Sequence, residues 1–192
     1  MSTSRSGHAG EPGAPGEPGG SGEPGVSGEP GELRVGEAAP PFSLEGIDGR
    51  TGDLGEWSLS DFEGAPLVLA FYPADDTPVC TAQLKSYTEH VGLLAESGAA
   101  LVAISPQDPQ SHRRFAAAHG GFAFPLLSDI DRSVGADYAV LGLLDLYRRT
   151  VVIVDAEGCI AAIHRSIGPG SGYQPLAEML DALASSVRAG SQ

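Results

Sequence analysis

The chain has 192 residues, of which 41% are hydrophobic, and it carries a formal net charge of −14 at pH 7. A protein this acidic repels phosphate backbones and anionic lipids, so we expect neither nucleic acid nor a membrane as a partner. No apolar run approaches the ~20 residues of a membrane span. The N-terminus shows no apolar leader, and we therefore expect a cytoplasmic protein whose thiols stay reduced.

The first 33 residues differ in composition from the rest. From Gly7 to Gly31 a glycine falls at every third position, a period that resembles collagen, where only glycine fits the axis of the triple helix. A disordered linker is the favoured interpretation and a short trimerising segment the alternative. We predict a low-complexity tail over 1–33 and one folded domain over 34–192.

Apolar runs and turn residues predict the elements of that domain. In chain order they are a hairpin with strands at Phe42–Leu44 and Trp57–Leu59, a buried strand Leu67–Tyr72, a helix Val79–Ser97, a strand Ala100–Ile104, a helix Pro109–His119, a short strand Pro125–Leu127, a short helix Arg132–Tyr138, a hairpin with strands Arg149–Val154 and Cys159–His164, and a closing helix Pro175–Val187. The order predicts an α/β fold, with a mixed central sheet flanked by helices on both faces and an N-terminal β-hairpin.

Cys80 lies in the first turn of the predicted helix that follows the buried strand. The free N–H groups of Val79 and Cys80 and the positive end of the helix dipole favour a thiolate there. The Thr77 hydroxyl can donate to that thiolate or accept from a bound substrate, and Pro73 can shield the site from water. The alternative is an inert buried cysteine with Thr77 as a helix cap. Asp75 and Asp76 are interpreted as carboxylates that set the loop shape.

The segment from Pro73 to Cys80 resembles the peroxiredoxin motif Pro-x-x-x-Thr/Ser-x-x-Cys, matched by Pro73, Thr77 and Cys80. Phe71-Tyr72-Pro73 and Thr77-Pro78-x-Cys80-Thr81 are most similar to the bacterioferritin-comigratory-protein subgroup of the AhpC/TSA family. The resemblance covers about 34–187 and implies a thioredoxin-like fold. It also implies an arginine beside the cysteine, six residues before the aspartate that ends a strand. Arg149 stands there, ahead of Asp155, whereas strand alternation turns Arg148 to the other face.

The resemblance implies a thiol-dependent peroxidase that reduces hydrogen peroxide or organic hydroperoxides through a Cys80 sulfenic acid. The reaction needs no metal or other cofactor. Val79 and Cys80 would bind the substrate through their N–H groups, and Thr77, Pro73 and Arg149 would complete the site. We expect a monomer or homodimer.

The resolving cysteine that related proteins often carry five residues after the reactive one is replaced by Lys85. Cys159 is predicted at the far end of the sheet, too distant to form a disulfide with Cys80. We therefore expect a one-cysteine mechanism, with thioredoxin, a glutaredoxin-like protein or a low-molecular-weight thiol as the reductant. Two alternatives are a thiol–disulfide oxidoreductase, disfavoured because Cys-x-x-Cys is absent, and a non-catalytic thioredoxin-like binding module on a collagen-like stalk.

Overall fold

The computed structural model describes residues 32–166 and 172–181. The glycine-period tail therefore lies almost entirely outside the described residues, as does the end of the closing helix. Leu33, the last residue of the predicted tail, is buried against the core.

A single seven-stranded sheet forms the centre of the domain. Its strands are β1 (Ser43–Ile47), β2 (Leu54–Ser58), β3 (Leu67–Phe71), β4 (Ala100–Ser105), β5 (Leu126–Ser128), β6 (Thr150–Val154) and β7 (Ile160–Arg165), arranged in the spatial order β2-β1-β5-β4-β3-β6-β7. β3, β4 and β5 run parallel, and the other neighbouring pairs are antiparallel. The mixed sheet and the N-terminal hairpin are confirmed.

β3 and β6 lie side by side inside the sheet, between β4 and the edge strand β7, and are buried along their whole length. Their continuous apolar runs are typical of strands covered on both faces. The antiparallel register pairs Phe71 with Thr150 and Leu67 with Val154. The residue before β6 is therefore held beside the point where the chain leaves β3.

The helices are α1 (Pro78–Glu89), α2 (Val91–Ser97), α3 (Pro109–His119), α4 (Ser133–Asp137) and α5, which covers 176–181. Short 3-10 turns follow β2 at Leu59–Phe62 and precede β6 at Leu143–Asp145. Among the described residues, no helix is long and apolar enough to cross a membrane.

The prediction of one helix over Val79–Ser97 was wrong, because the helix is interrupted at His90, which separates α1 from α2. His90 leaves the helical conformation at φ −105° and ψ 17°, and its ring Nδ1 lies 2.8 Å from the Ser86 carbonyl oxygen. The apolar spacing did not reveal the break, because Leu84 in α1 and Leu94 in α2 are both buried in one cluster.

Alternating side chains of the central strands pack into two apolar clusters, one on each face of the sheet. On one face Val68, Ala70, Val151 and Ile153 pack with α1, α2, α3 and α5 through Leu84, Leu94, Phe115 and Met179. On the other face Leu67, Leu69, Phe71 and Val152 pack with α4 through Val134. The prediction of helices on both faces is confirmed, and Cys80 belongs to the cluster on the α1 face.

Candidate active site

Cys80 lies where β3 leads into α1. β3 ends at Phe71, a six-residue loop follows, and α1 begins at Pro78. Cys80 is thus the third residue of the helix and is completely buried. The N–H groups in a first helical turn have no acceptor within the helix, so those of Val79 and Cys80 are free to meet negative charge near the sulfur.

Arg149 supplies a positive charge beside this sulfur. Its Nη2 lies 3.2 Å from Cys80 Sγ, and its Nη1 donates to Oε1 of Gln83. The pairing of β6 with β3 explains the contact, because Arg149 immediately precedes Thr150, the partner of Phe71. The side chain of Arg148, by contrast, is exposed to solvent. A guanidinium at this distance favours a thiolate and any oxygen that gains negative charge next to it.

Gln83 holds the guanidinium from the α1 side, and Tyr87 holds Gln83. Gln83 is completely buried, and its amide nitrogen donates to the Tyr87 hydroxyl at 3.1 Å. Tyr87 in turn donates to the Gln174 carbonyl at 3.0 Å, and burial is the main reason that its pKa rises to about 12. The sequence analysis did not assign these roles. Their signal was the spacing of Cys80, Gln83 and Tyr87, which places all three on one face of a helix.

Thr77 is the residue before α1, and its side chain makes no capping hydrogen bond. Its hydroxyl donates to the Ala74 carbonyl at 3.3 Å instead of pointing its proton at the sulfur, which was one of the two roles expected. The oxygen lone pairs still provide an acceptor. Pro73 is half-buried and follows the end of β3.

Asp75 and His112 form a buried pair beneath the same loop, at 3.1 Å between Nδ1 and each carboxylate oxygen. The sequence analysis placed Asp75 in the loop but gave His112 no role. No local pattern could link them, because they are 37 positions apart.

Cys159 lies at the opposite end of the sheet. It follows the turn that joins β6 to β7 and immediately precedes Ile160, the partner of Val154. Val154 pairs with Leu67, the first residue of β3, whereas Cys80 follows the last residue of β3. Both cysteines are free thiols. Within 32–166 and 172–181, no group of three or more histidine, cysteine, aspartate or glutamate side chains could hold a metal ion.

The comparisons with known proteins agree with this architecture. The sequence matches the AhpC/TSA family over residues 35–163. It is 36% identical over 137 residues to a chloroplastic peroxiredoxin Q of Populus jackii, covering 70% of this chain and 62% of that protein. A chloroplastic peroxiredoxin Q of Sedum lineare is 34% identical over 137 residues, with 70% of each chain covered.

Solved structures show the same fold. A reduced 2-Cys peroxiredoxin of Plasmodium vivax superposes with a TM-score of 0.71 at 27% identity, covering 80% of this chain and 98% of the other. AhpC of Enterococcus faecalis superposes with a TM-score of 0.74 at 24% identity, covering 83% of this chain and 96% of the other. At this identity the likeness shows only a shared fold. The thioredoxin-like peroxiredoxin fold is therefore confirmed, and this chain belongs to the AhpC/TSA family of peroxiredoxins.

Proposed function

We propose that the chain is a thiol-dependent peroxidase in which Cys80 is the nucleophile. The observation that carries the proposal is the 3.2 Å contact between the Arg149 guanidinium and Cys80 Sγ at the start of a helix. The Cys80 thiolate attacks one oxygen of a hydroperoxide, an S–O bond forms and the O–O bond breaks. The departing oxygen takes a proton and leaves as water or an alcohol, while the sulfur is oxidised to a sulfenic acid.

The surroundings of Cys80 suit this step. Negative charge moves from the sulfur to the departing oxygen, and fixed donors that face this charge lower the barrier. The N–H groups of Val79 and Cys80 and the guanidinium of Arg149 are such donors. Thr77, whose proton is committed to Ala74, accepts the hydrogen bond of the incoming hydroperoxide. Pro73 covers the site where the loop begins.

Recycling by an external thiol fits the positions of the two cysteines. The residue five places after Cys80 is the exposed Lys85, and Cys159 stands at the other end of the β3–β6 pair. Four residues of strand span about 13 Å, beyond the ~7 Å between α-carbons that a disulfide allows. We propose a one-cysteine mechanism with thioredoxin, a glutaredoxin-like protein or a low-molecular-weight thiol as reductant.

The subgroup and setting of the enzyme are part of the same proposal. The Thr77-Pro78-x-Cys80-Thr81 sequence and the peroxiredoxin Q relatives support a bacterioferritin-comigratory-protein-like enzyme. Hydrogen peroxide and organic hydroperoxides are its expected substrates. Action as a monomer or homodimer in the cytoplasm stays a prediction.

Sulfenic acid trapping tests the nucleophile. Reduced protein is mixed with one equivalent of hydrogen peroxide, and modified peptides are identified by mass spectrometry. We expect stoichiometric modification at Cys80 within seconds, none in Cys80→Ser, and an unchanged rate in Cys159→Ser. Modification of Cys80 no faster than that of free cysteine would instead support the binding-module alternative.

Turnover with each candidate reductant tests the recycling step. Cys159→Ser is expected to turn over at the wild-type rate. Loss of turnover in that variant, with sulfenic acid formation intact, would replace the one-cysteine mechanism by one in which Cys159 takes part.

A further inference from the structure

The loop between β3 and α1 is attached to α3 by a buried cluster that the reaction itself does not use. The Asp75 side chain is 5% exposed and the His112 side chain is fully buried. The carboxylate accepts from the Tyr72 hydroxyl and from the Ser111 hydroxyl, each at 2.8 Å, in addition to its contact with His112. A carboxylate removed from water in this way is costly unless its acceptor sites are filled and its charge is paired.

The hydrogen-bond partners fix the protonation of His112. Its Nε2 lies 3.2 Å from the Leu127 carbonyl oxygen, which can only accept, so this nitrogen carries a proton. Its Nδ1 faces both oxygens of Asp75, whose lowered pKa keeps the carboxylate ionised and able only to accept. The Tyr72 hydroxyl, 3.3 Å from Nδ1, donates to the closer Asp75 oxygen at 2.8 Å. Both ring nitrogens therefore donate, and His112 and Asp75 form an ion pair.

The electrostatics of the cluster agree with that assignment. Burial is the largest influence on Asp75 and raises its pKa, but the hydrogen bond and charge of His112 with the hydroxyls of Ser111 and Tyr72 outweigh it, and the net pKa is lowered. Burial raises the pKa of Tyr72 well above its usual value, and the charges on Asp75 and Cys80 add to the effect. Tyr72 therefore stays protonated and serves as a hydrogen-bond donor to Asp75.

The cluster acts on a short stretch of chain. Asp75 is separated from Thr77 by Asp76 alone, which has a positive φ of 55°, and α1 with Cys80 begins directly after Thr77. The other end of the cluster is anchored in rigid structure, because His112 lies on α3 and contacts the backbone of β5. Movement of Asp75 therefore shifts Thr77 and the first turn of α1.

We infer that Asp75 and His112 are positioning residues whose buried ion pair holds the Pro73–Thr77 loop, and through it Cys80, in the geometry needed for attack on a hydroperoxide. The inference rests on the proposed function and adds two residues that do not touch the reacting atoms. Their role is to fix where Thr77 and the first-turn N–H groups stand relative to the sulfur.

The chain provides a matched control in the next residue. Asp76 pairs with His119 at 3.1 Å, seven positions after His112 on α3, but its side chain is 62% exposed. Exposed ion pairs contribute little to folding stability, and asparagine tolerates the positive φ of this position. Asp76→Asn therefore makes the same change of charge in the same loop without touching the buried cluster.

The test compares two reactions of Cys80 in each variant. The rate constant with hydrogen peroxide depends on the donors around the peroxide, whereas alkylation by iodoacetamide needs only a reactive thiolate. We expect Asp75→Asn to lower the peroxide rate constant by about tenfold to a hundredfold and the alkylation rate by less than threefold. Asp76→Asn should leave the ratio of the two rate constants within twofold of wild type.

Two further variants keep the test decisive if Asp75→Asn does not fold. Ser111→Ala removes one hydrogen bond from the carboxylate and should lower the ratio by about threefold to tenfold, the net contribution of a typical hydrogen bond, because Tyr72 and His112 still hold Asp75. In the double variant Asp75→Asn/His112→Gln, two amides can pair without a buried charge, and the ratio should fall by at most about a hundredfold relative to wild type.

Folded Asp75→Asn with a wild-type ratio would overturn the inference, as would an unchanged ratio in Ser111→Ala. Equal loss of both rates would indicate a structural role alone and overturn it as well. If the wild-type protein itself reacts with peroxide no faster than free cysteine, the proposed function fails first and the positioning role falls with it.

Discussion

Replacement of Arg149 by alanine should selectively slow the oxidation of Cys80. The change removes the Nη2–Sγ contact of 3.2 Å and the hydrogen bond to the buried Gln83. A hydrogen bond that involves a charged group is worth about 1.5–3 kcal/mol, and each 1.4 kcal/mol corresponds to about a factor of ten in rate. The second-order rate constant with hydrogen peroxide should therefore fall by about tenfold to 150-fold.

Lysine at the same position separates charge from geometry. The ammonium of Arg149→Lys retains the positive charge but lacks the planar fork that reaches both Gln83 and Cys80. We expect a rate constant between those of the alanine variant and the wild type.

The neighbouring residue supplies the control for charge. Arg148 is exposed and directs its side chain over Gly142, so Arg148→Ala changes the net charge equally without reaching the sulfur. Competition kinetics against a peroxide-consuming reference enzyme measure all variants under one condition. The reasoning is refuted if Arg149→Ala and Arg148→Ala react at the same rate while both remain folded.

Three further predictions concern the stability of the fold. The pKa of Tyr87 is near 10 in the unfolded chain and about 12 in the folded protein. Its contribution to the free energy of unfolding is therefore complete below pH 10 and is lost as the pH rises through 12. Between pH 9 and 11 the urea-derived unfolding free energy should fall by about 1.4 kcal/mol less in Tyr87→Phe than in wild type; an equal fall would contradict this. Gly46→Ala places a Cβ 2.3 Å from the Leu126 carbonyl oxygen and should destabilise by about 1–3 kcal/mol. The Cβ of Gly92→Ala on α2 meets no atom within 4 Å, so this variant should stabilise the fold by about 0.5–1 kcal/mol. A stabilised Gly46→Ala together with a destabilised Gly92→Ala would refute the packing argument.

The main elements could be predicted because their signals are local. The continuous apolar run of β3 and the proline start and glycine stop of α3 (Pro109–His119) lie within single segments. The break at His90 was missed because the core-facing spacing continues through it. The start of the short α4 was also misplaced by one residue, since Arg132 takes a left-handed φ of 63° just before the helix.

The residues of the candidate site differ in the same way: some could be predicted from local sequence, and others depend on how distant elements pack. The position of Cys80 follows from a strand that runs into a helix, and the choice of Arg149 over Arg148 follows from strand alternation and the family motif. The spacing of Gln83 from Cys80 places it on the same helix face, but its hydrogen bond with Arg149 can be assigned only once α1 is known to face Arg149. The contact of Asp75 with His112 depends on how α3 packs against the loop, which no spacing in the sequence encodes.

The position of Arg149 depends on the register of β6, and this explains why residues far from the sulfur matter to its chemistry. A slip of one residue would turn Arg149 to the opposite face and present Arg148 to Cys80 instead. The strand cannot prevent this by itself, because Thr150–Val154 is buried on both faces and offers no polar side to distinguish them. Contacts on both flanks restrain the strand: before β6 the Tyr147 hydroxyl donates to the buried Asp129, and after β6 Asp155 closes the turn to β7 by accepting from the Cys159 N–H at 2.7 Å. The Tyr147–Asp129 contact ties the residues before β6 to the end of β5, and it thereby supports the β3–β6 register that presents Arg149 to Cys80 although neither residue touches the guanidinium or the sulfur.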